Sequence, residues 1–286
     1  MSAPTVSIII PCYKGERFLA EAIESCLRQT HADLEVIVVD DSSPDRCAEI
    51  ADDFARRDPR VRVLRRGQNG GVSRAFNTGF DAAKGEYLTR LAQDDLFMPE
   101  AVAIMAGYLT SHPETGLVYC DELRIDEGGK VICERQKPGP ETALTEGNGV
   151  GMCAMWRRSV WEQSGKFDPQ YDTAEDYEYW LRVADRFPIA KCPVPPQMSM
   201  RMHAGMGSCV YSGKQEVLSA RIQAARTRGF SKVRRILKRG HFNAAFAYRQ
   251  QDKRGLALKH ALAAIGCWPF DFKPYRLLAS IILNRR

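Results

Sequence analysis

The sequence lacks the short signatures of several enzyme classes. It contains no G-x-x-x-x-G-K-[ST] phosphate loop, no G-x-S-x-G nucleophile turn and no H-x-x-x-H zinc pair. The glycines of Gly67–Gly71 do not form G-x-G-x-x-G, so the dinucleotide fingerprint is also missing. None of the nine cysteines has C-x-x-C spacing, and their number is odd. This pattern indicates free thiols in a reducing compartment rather than a disulfide framework or a zinc site.

Long apolar stretches and an N-terminal targeting signal are missing as well. Met1–Val6 has no basic region, and the apolar run at Ile8–Ile10 stops at Pro11. A membrane-spanning helix needs about 20 apolar residues, and a secretory signal needs a basic start and an apolar centre. We therefore expect neither a signal peptide nor a transmembrane helix, and a cytoplasmic protein.

The composition is ordinary, but the charge is unevenly distributed. Of 286 residues, 44% are hydrophobic and 27% are charged, which allows a real core. Residues 226–286 hold 15 basic and two acidic residues, whereas residues 1–225 hold 26 basic and 33 acidic ones. An acidic body with a basic tail predicts an anionic partner for the tail, either nucleic acid or an anionic membrane surface.

Strand and helix patterns alternate over the first hundred residues. Apolar runs predict strands, and apolar residues at helical spacing predict helices between them. The predicted strands are Val6–Ile10, Leu34–Val39, Val61–Leu64 and Glu86–Leu91, and the predicted helices are Glu16–Gln29, Pro44–Arg57 (capped by Ser43), Val72–Ala83 and Pro99–Leu109. Strands of nearly continuous Ile, Val and Leu joined by helices predict an α/β fold with a mostly parallel sheet covered on both faces.

The pattern changes after residue 115. Short strands are predicted at Leu117–Cys120, Lys130–Cys133 and Met152–Trp156, a loop at Pro138–Gly151 and a helix at Asp176–Phe187. Pro193–Gly213 shows little periodicity, and basic helical sequence follows from Lys214. We therefore divide the chain into a catalytic domain, residues 1–213, and a basic helical extension, residues 214–286.

Three acidic pairs stand where loops should gather at the carboxyl ends of strands, which is where such sheets bind ligands. They are Asp40-Asp41, Asp94-Asp95 and Glu175-Asp176. Carboxylates that follow a strand suit a divalent cation on a nucleotide diphosphate, a base N–H or ribose hydroxyl, or the proton of an acceptor hydroxyl. Each pair also has a plainer interpretation, as a solvated turn or as a helix N-terminus that favours acids.

An ordered set of motifs resembles glycosyltransferase family 2. Six stretches of the chain are similar, in order, to the motifs of that family. They are the opening Val6–Tyr13, Glu35–Ser43, Asn69–Gly79, Gly85–Leu88 with Gln93-Asp94-Asp95, Gly165–Asp168 with Glu175–Arg182, and Met200–His203 with Ser208. The resemblance covers about residues 4–210. It implies the GT-A fold, a Rossmann-like, mostly parallel sheet flanked by helices, here with a C-terminal helical extension.

The resemblance also implies a function and a role for particular residues. It implies inverting transfer of a hexose from a nucleotide sugar, with uridine as the expected nucleoside, to a saccharide or lipid-linked acceptor, with Mg²⁺ or Mn²⁺ as cofactor. Donor contacts would come from the side chains of Pro11, Tyr13, Asp40, Asp41, Arg74 and Asp94. Asp95 and His203 would hold the metal, and Asp176 would be the base, supported by Glu175.

Two positions depart from the family pattern. Gln93 stands where the metal motif often begins with Asp, which leaves Asp95 as the expected main ligand. Phe76 stands where the third motif often has Arg directly before its Asn, and Arg74 is the candidate to replace it.

Other interpretations of the sequence remain open at this stage. A nucleotidyltransferase of similar fold would carry a Gly-rich basic loop after the first strand, which Pro11–Arg17 matches poorly. A non-catalytic nucleotide-sugar-binding protein would have no need of Glu175-Asp176. The extension 214–286 either packs on the catalytic domain or contacts an anionic membrane surface, which would make the protein peripheral on the inner face. Nucleic acid is not expected, because no recognisable motif accompanies the charge.

Overall fold

The computed structural model describes residues 5–145, 147–205, 212–226, 230–267, 269 and 271–282. The chain divides into two units, one before and one after the junction of His203 and Ala204. The first unit contains two sheets with flanking helices, and the described part of the second contains helices.

The elements follow the alternation that the sequence predicts. The strands are β1 Val6–Cys12, β2 Leu34–Asp40, β3 Val61–Arg65, β4 Tyr87–Arg90, β5 Leu96–Phe97, β6 Leu117–Tyr119, β7 Glu122–Ile125, β8 Val131–Arg135, β9 Ala154–Arg157, β10 Ile189–Lys191 and β11 Met198–Arg201. The helices of the first unit are α1 Leu19–Leu27, α2 Cys47–Arg57, α3 Val72–Ala82, α4 Ala101–Ser111, α5 Arg158–Ser164 and α6 Glu175–Ala184. Those of the second unit are α7 Ser212–Arg226, α8 Phe230–Gln250, α9 Arg254–Cys267 and α10 Phe272–Ile282.

The larger sheet has seven strands in the order β10-β6-β9-β4-β1-β2-β3. All its pairs are parallel except those of β9, which runs antiparallel to both β4 and β6. Side chains that alternate along a strand fill opposite layers of core: Ile8 and Ile10 pack with α1, α2 and α4, whereas Ile9 packs with the aromatic residues of α3, α5 and α6. The predicted mostly parallel sheet with both faces covered is confirmed.

The smaller sheet pairs the strands in the order β5-β11-β7-β8. Its strand β11, Met198–Arg201, lies in the stretch where the sequence shows little periodicity, and it runs parallel to β7 and antiparallel to β5. This pairing brings a segment from the end of the first unit beside Asp94 and Asp95, which directly precede β5.

One local prediction is wrong. Ser43 does not cap the second helix, because α2 begins at Cys47, and Arg46 rather than Ser43 occupies the cap position. The Ser43 hydroxyl instead accepts a hydrogen bond from the Lys14 backbone N–H and donates one to Asp45. The loop after β2 is therefore longer than predicted and is tied to the loop after β1.

The described part of the second unit is helical, as predicted, and α8 and α9 form a hairpin with a break at 251–253. Its core is built from small and aliphatic residues on α8, α9 and α10, among them Ala245, Ala261 and Leu277. Among the described residues, no helix is long and apolar enough to cross a membrane.

Candidate active site

The strand order reverses between β1 and β4, which are neighbours in the sheet although β2 and β3 come between them in sequence. A crevice at such a switch point, outside the carboxyl ends of the strands, is the usual ligand site of this kind of sheet. Gln93, in the loop after β4, accepts a hydrogen bond from the Tyr13 backbone N–H at 2.9 Å and donates one to the Tyr13 carbonyl at 3.1 Å. A side chain at Gly15 would collide with the Gln93 amide. The two loops are therefore fixed to each other, with the ring of Tyr13 exposed and Pro11 half-buried in β1.

Asp40 and Asp41, at the end of β2, are both buried and both bind backbone. The Asp40 carboxylate accepts a hydrogen bond from the Ser43 N–H at 2.9 Å, which closes the turn after the strand. The Asp41 carboxylate accepts bonds from Gly70 N–H at 3.1 Å and Gly71 N–H at 2.9 Å, and it lies 2.7 Å from Nε of Arg66. Asp41 therefore fixes the loop that leads into α3.

Arg74, the candidate for the missing arginine of the third motif, lies on the exposed side of α3. Its guanidinium donates to the Gly70 carbonyl at 3.1 Å. No described contact joins it to Glu175 or Asp176. Arg74 therefore lines the same loop as Asp41 without compensating the charge of the acidic pair on α6.

Asp94 and His203 face each other across the loop after β4. Nε2 of His203 lies 2.8 Å from Oδ2 of Asp94, and both side chains are about 15% exposed. The ring of Phe18 packs against His203, with 5.1 Å between the centroids. A carboxylate oxygen and an imidazole nitrogen thus lie together, still reached by solvent, beside the switch point.

Asp95 has different surroundings from Asp94. It is almost fully buried, and its Oδ1 accepts a hydrogen bond from the Arg201 N–H at 2.9 Å. Burial, and next the charge of Asp94, hold the pKa of the Asp95 carboxyl well above its ordinary value. The hydrogen bond from Arg201 to Asp95 holds β11 in place.

Glu175 and Asp176 open helix α6, and both are buried. Asp176 Oδ2 accepts hydrogen bonds from Arg90 and Asn148, each at 2.7 Å, and its Oδ1 accepts one from the Tyr177 N–H at 2.8 Å. Burial, and next the charge of Asp176, raise the pKa of Glu175 to about 7, while Arg90 opposes the rise.

A chain of contacts joins the acidic pair on α6 to the loop held by Asp41. Oδ1 of Asp172 accepts hydrogen bonds from the backbone N–H and the hydroxyl of Ser73, at 2.9 and 2.7 Å, and so caps the N-terminus of α3. Thr173, the next residue, donates its N–H to Glu175 at 3.0 Å. These bonds, with those of Arg90 in β4, join the loop held by Asp41 after β2 to the acids of α6.

The described residues contain no group of three or more His, Cys, Asp or Glu side chains arranged to hold a metal. Two protein ligands are nevertheless compatible with a hard divalent cation whose remaining ligands are diphosphate and water. Asp94 and His203 are the pair whose donor atoms suit such an ion. Ser208, named with His203 in the sequence motif, lies outside the described residues.

Sequence reasoning missed Arg90, Asn148 and Asp172. Arg90 had a readable signal, because an arginine inside a strand covered on both faces has to be paired, and Glu and Asp are the partners that arginine finds in a core. Asn148 and Asp172 had none, because Asn and Asp are ordinary residues of loops.

Together the sheet order and the grouped acids define the class, a GT-A fold with a candidate nucleotide-sugar site at the switch point. TarS from S. aureus, solved in complex with UDP, has the same fold, with a TM-score of 0.63 at 17% identity over 98% of this chain and 92% of that one. The mannosyltransferase PcManGT from Pyrobaculum calidifontis, solved with GDP-Man and Mn²⁺, gives a TM-score of 0.62 at 19% identity over 98% and 80%.

The chain belongs to glycosyl transferase family 2, whose model matches residues 7–164, more than half of its length. A chondroitin synthase from Pasteurella multocida is 29% identical over 64% of this chain and 19% of the synthase. The chain spans between 19% and 26% of the length of the first curated relatives. The predicted family and fold are confirmed, whereas the roles of the candidate site residues, including Asp176 and His203 beyond residue 164, stay predictions that rest on their contacts.

Proposed function

We propose that this protein transfers a sugar from a nucleotide sugar to an acceptor hydroxyl, with inversion at the anomeric carbon. The observation that carries the proposal is the buried carboxylate of Asp176, held by three hydrogen bonds at the switch-point edge of the sheet. A binding protein has no need of a base there, and a buried carboxylate held at the ligand edge of the sheet is a candidate for that role.

Asp176 is proposed as the base. An ionised carboxylate is a weak base at neutral pH, so it would take the proton of the hydroxyl as that hydroxyl attacks the anomeric carbon. Positioned proton transfer of this kind contributes about 10²–10⁴-fold. Glu175 would support the donor sugar, and its raised pKa leaves it protonated for part of the time near pH 7, able to donate a hydrogen bond.

The donor is proposed to lie on the loops after β1 and β2. The exposed ring of Tyr13 and the half-buried Pro11 of β1 offer apolar surface for a nucleobase. Asp41 would accept from the base N–H and Asp40 would support the ribose side, while Arg74 would line the same loop. UDP is bound by TarS and GDP-Man by PcManGT, so a panel of uridine and guanosine donors tests the choice.

Mg²⁺ or Mn²⁺ is the proposed cofactor. Carboxylate suits both ions, and of the two an imidazole ligand suits the transition metal Mn²⁺ better than Mg²⁺. The contact of Asp94 with His203, which solvent still reaches, supports this pair as ligands, and Asp94 also as a donor contact. Asp95, predicted as the main ligand, is better supported as the residue that braces β11 behind them. When bound, the ion would offset negative charge that develops on the leaving diphosphate.

The test is release of UDP or GDP from a donor panel in the presence of Mn²⁺, followed by the same assay on Asp176→Asn. We expect turnover to fall at least about 100-fold with little change in donor binding. Glu178→Gln is the matched control, because it removes another carboxylate of α6 that pairs with an arginine, Arg182. If Asp176→Asn keeps the turnover of Glu178→Gln, Asp176 is not the base.

The acceptor is proposed to be a saccharide or a lipid-linked saccharide near an anionic membrane surface. On α9 and α10, Leu262, Phe272 and Ile282 are more than half exposed, and the exposed cations Lys273 and Arg276 accompany them. Apolar and basic side chains on one helical unit suit an interfacial contact, to which each basic residue adds about 1 kcal/mol.

Sedimentation with liposomes tests this contact. We expect the full chain to pellet with vesicles containing phosphatidylglycerol and not with neutral phosphatidylcholine vesicles. Phe272→Ser with Lys273→Gln should weaken pelleting and leave donor turnover unchanged. Equal pelleting with both kinds of vesicle, or none, would refute the membrane proposal.

A further inference from the structure

Arg90 is a charged residue in the interior of the sheet. It ends β4, beside Ile9 of β1, and its side chain is fully buried. Its Nη2 donates to Asp176 at 2.7 Å and its Nη1 to Glu175 at 3.4 Å. Its Nε has no hydrogen-bond partner among the described residues. A guanidinium without access to water depends on these two carboxylates for its stability.

Aromatic rings enclose the guanidinium. Its central carbon lies 5.3 Å from the ring of Phe76, 5.6 Å from that of Phe167 and 5.3 Å from that of Trp180. The rings attract the cation through their faces and exclude water, so solvent screens the ion pairs little. The orientation of the carboxylates relative to Arg90 is therefore fixed by packing.

The hydrogen bonds of Asp176 leave one position for an incoming proton. Oδ2 already accepts from Arg90 and Asn148, which uses both of its lone pairs. Within the part of the chain that the structure describes, Oδ1 accepts a hydrogen bond from the Tyr177 N–H alone, so one of its lone pairs is left. Arg90 thus directs which oxygen of Asp176 can receive the proton of the acceptor.

The residue at position 76 bears on why Arg90, a strand residue, is the cation that bonds the acidic pair. Phe76 stands where the third motif often has arginine, and its ring faces the guanidinium of Arg90. Arg74 is exposed and bonds the Gly70 carbonyl, so it does not fill the role. Among the described residues, the guanidinium that bonds the acidic pair therefore comes from β4.

We propose that Arg90 is a positioning residue of the transfer reaction, which holds the Asp176 carboxylate so that Oδ1 is the oxygen open to the acceptor, and which supplies the positive charge beside the acidic pair from β4. This inference rests on the proposed function, with Asp176 as base. The other groups that bear on the charge of the pair are Asp172 and the neutral amide of Asn148.

The test is the pH dependence of UDP release from the donor that the wild-type protein turns over, measured with Mn²⁺ for Arg90→Met and Arg90→Lys. An opposite charge at this distance lowers the pKa of a carboxyl by about 1–3. We expect Arg90→Met to move the acidic limb of kcat upward by at least about one pH unit and to lower kcat at pH 7 by at least about tenfold. The donor KM should change little. Arg90→Lys, which keeps a charge but contacts one acid at a time, should show a smaller shift.

Three further measurements separate this role from a structural one. Arg157→Met, which removes a half-buried arginine that bonds only backbone carbonyls and Tyr87, is the control and should leave the acidic limb in place. The double variant Arg90→Phe with Phe76→Arg places the guanidinium on α3 instead of β4. Its kcat should be about tenfold higher than that of Arg90→Phe alone. Circular dichroism checks that each variant is folded.

The outcomes are distinguishable. A wild-type protein that turns over no donor would overturn the proposed function and this inference with it. An active wild-type protein that depends on Asp176, with a folded Arg90→Met variant whose kcat and acidic limb are unchanged, would overturn the inference alone. A folded double variant that recovers nothing would refute the supply of charge from β4.

Discussion

Replacing Glu175 by Gln should make the stability of the catalytic unit less dependent on pH. In the folded protein, burial and next the charge of Asp176 raise the pKa of Glu175 to about 7. Arg90 lowers this pKa in part, and the charge of Asp172 raises it. A carboxyl whose pKa is raised by folding contributes stability below its ordinary pKa, near 4.5, and loses that contribution as the pH rises to about 7.

The size of the effect follows from the two pKa values. A rise from 4.5 to about 7 corresponds to at most about 3 kcal/mol of the free energy of unfolding, lost by the wild-type protein between pH 5 and pH 8. Gln has no charge to bury, and its amide oxygen can still accept the hydrogen bond from Thr173. Glu175→Gln should therefore match the wild-type protein at pH 5 and exceed its stability at pH 8.

Urea denaturation at pH 5, 6, 7 and 8, followed by tryptophan fluorescence, measures this. Trp156, Trp161 and Trp180, three of the four tryptophans, lie in the core of the first unit, so the signal reports mainly on that unit. Glu178→Gln, on the same helix, is the control and should give a difference from wild type that does not vary with pH. A difference between Glu175→Gln and wild type that stays constant from pH 5 to pH 8 would refute the reasoning.

Three other changes test separate parts of the site. Asp94→Ala should raise the Mn²⁺ concentration for half-maximal UDP release at least about tenfold. The control Asp81→Ala, at the surface, should leave that concentration unchanged. The same Mn²⁺ concentration for both variants would show that Asp94 is not a metal ligand. Gly15→Ala should weaken UDP binding in calorimetry about tenfold, because its Cβ would displace Gln93 and break two hydrogen bonds to the nucleotide loop. Asp41→Asn should lower the free energy of unfolding by about 2 kcal/mol, since an amide cannot serve Gly70, Gly71 and Arg66 together, and an unchanged urea midpoint would contradict this.

The sheet could be predicted from the sequence because its central strands bury both faces. Val6–Cys12 and Leu34–Asp40 are almost entirely buried, so nearly every residue is apolar and the strands stand out. Strand β11 could not be found in this way, because Met198–Arg201 carries serine and arginine that are buried through pairing with β5, β7 and the Asp95 loop. Its position depends on contacts between residues about a hundred positions apart.

The sequence motifs name the acids of the candidate site, but they do not name the partners of those acids. The hydrogen bonds of each carboxylate depend on the folded loops around it. Asn148 reaches Asp176 from the loop 138–151, and nothing in the sequence of that loop distinguishes it from other polar positions. The distinction between Asp94 and Asp95 likewise comes from burial, since both follow the same strand.

The loops of the site hold backbone strain, and the acids hold the loops. Within the described part of the first unit, the non-glycine residues with positive φ are Lys14 at 54°, Ser42 at 60° and Thr173 at 86°, each on a loop of the site. Such conformations cost about 1–3 kcal/mol each and persist only where surrounding contacts fix them. Asp40 closes the turn that contains Ser42, and Glu175 accepts the N–H of Thr173. The carboxylates proposed to meet the donor therefore also shape the loops before the donor binds. A loss of turnover in a variant of Asp40 or Glu175 identifies a donor contact only if the free protein keeps its loop conformation.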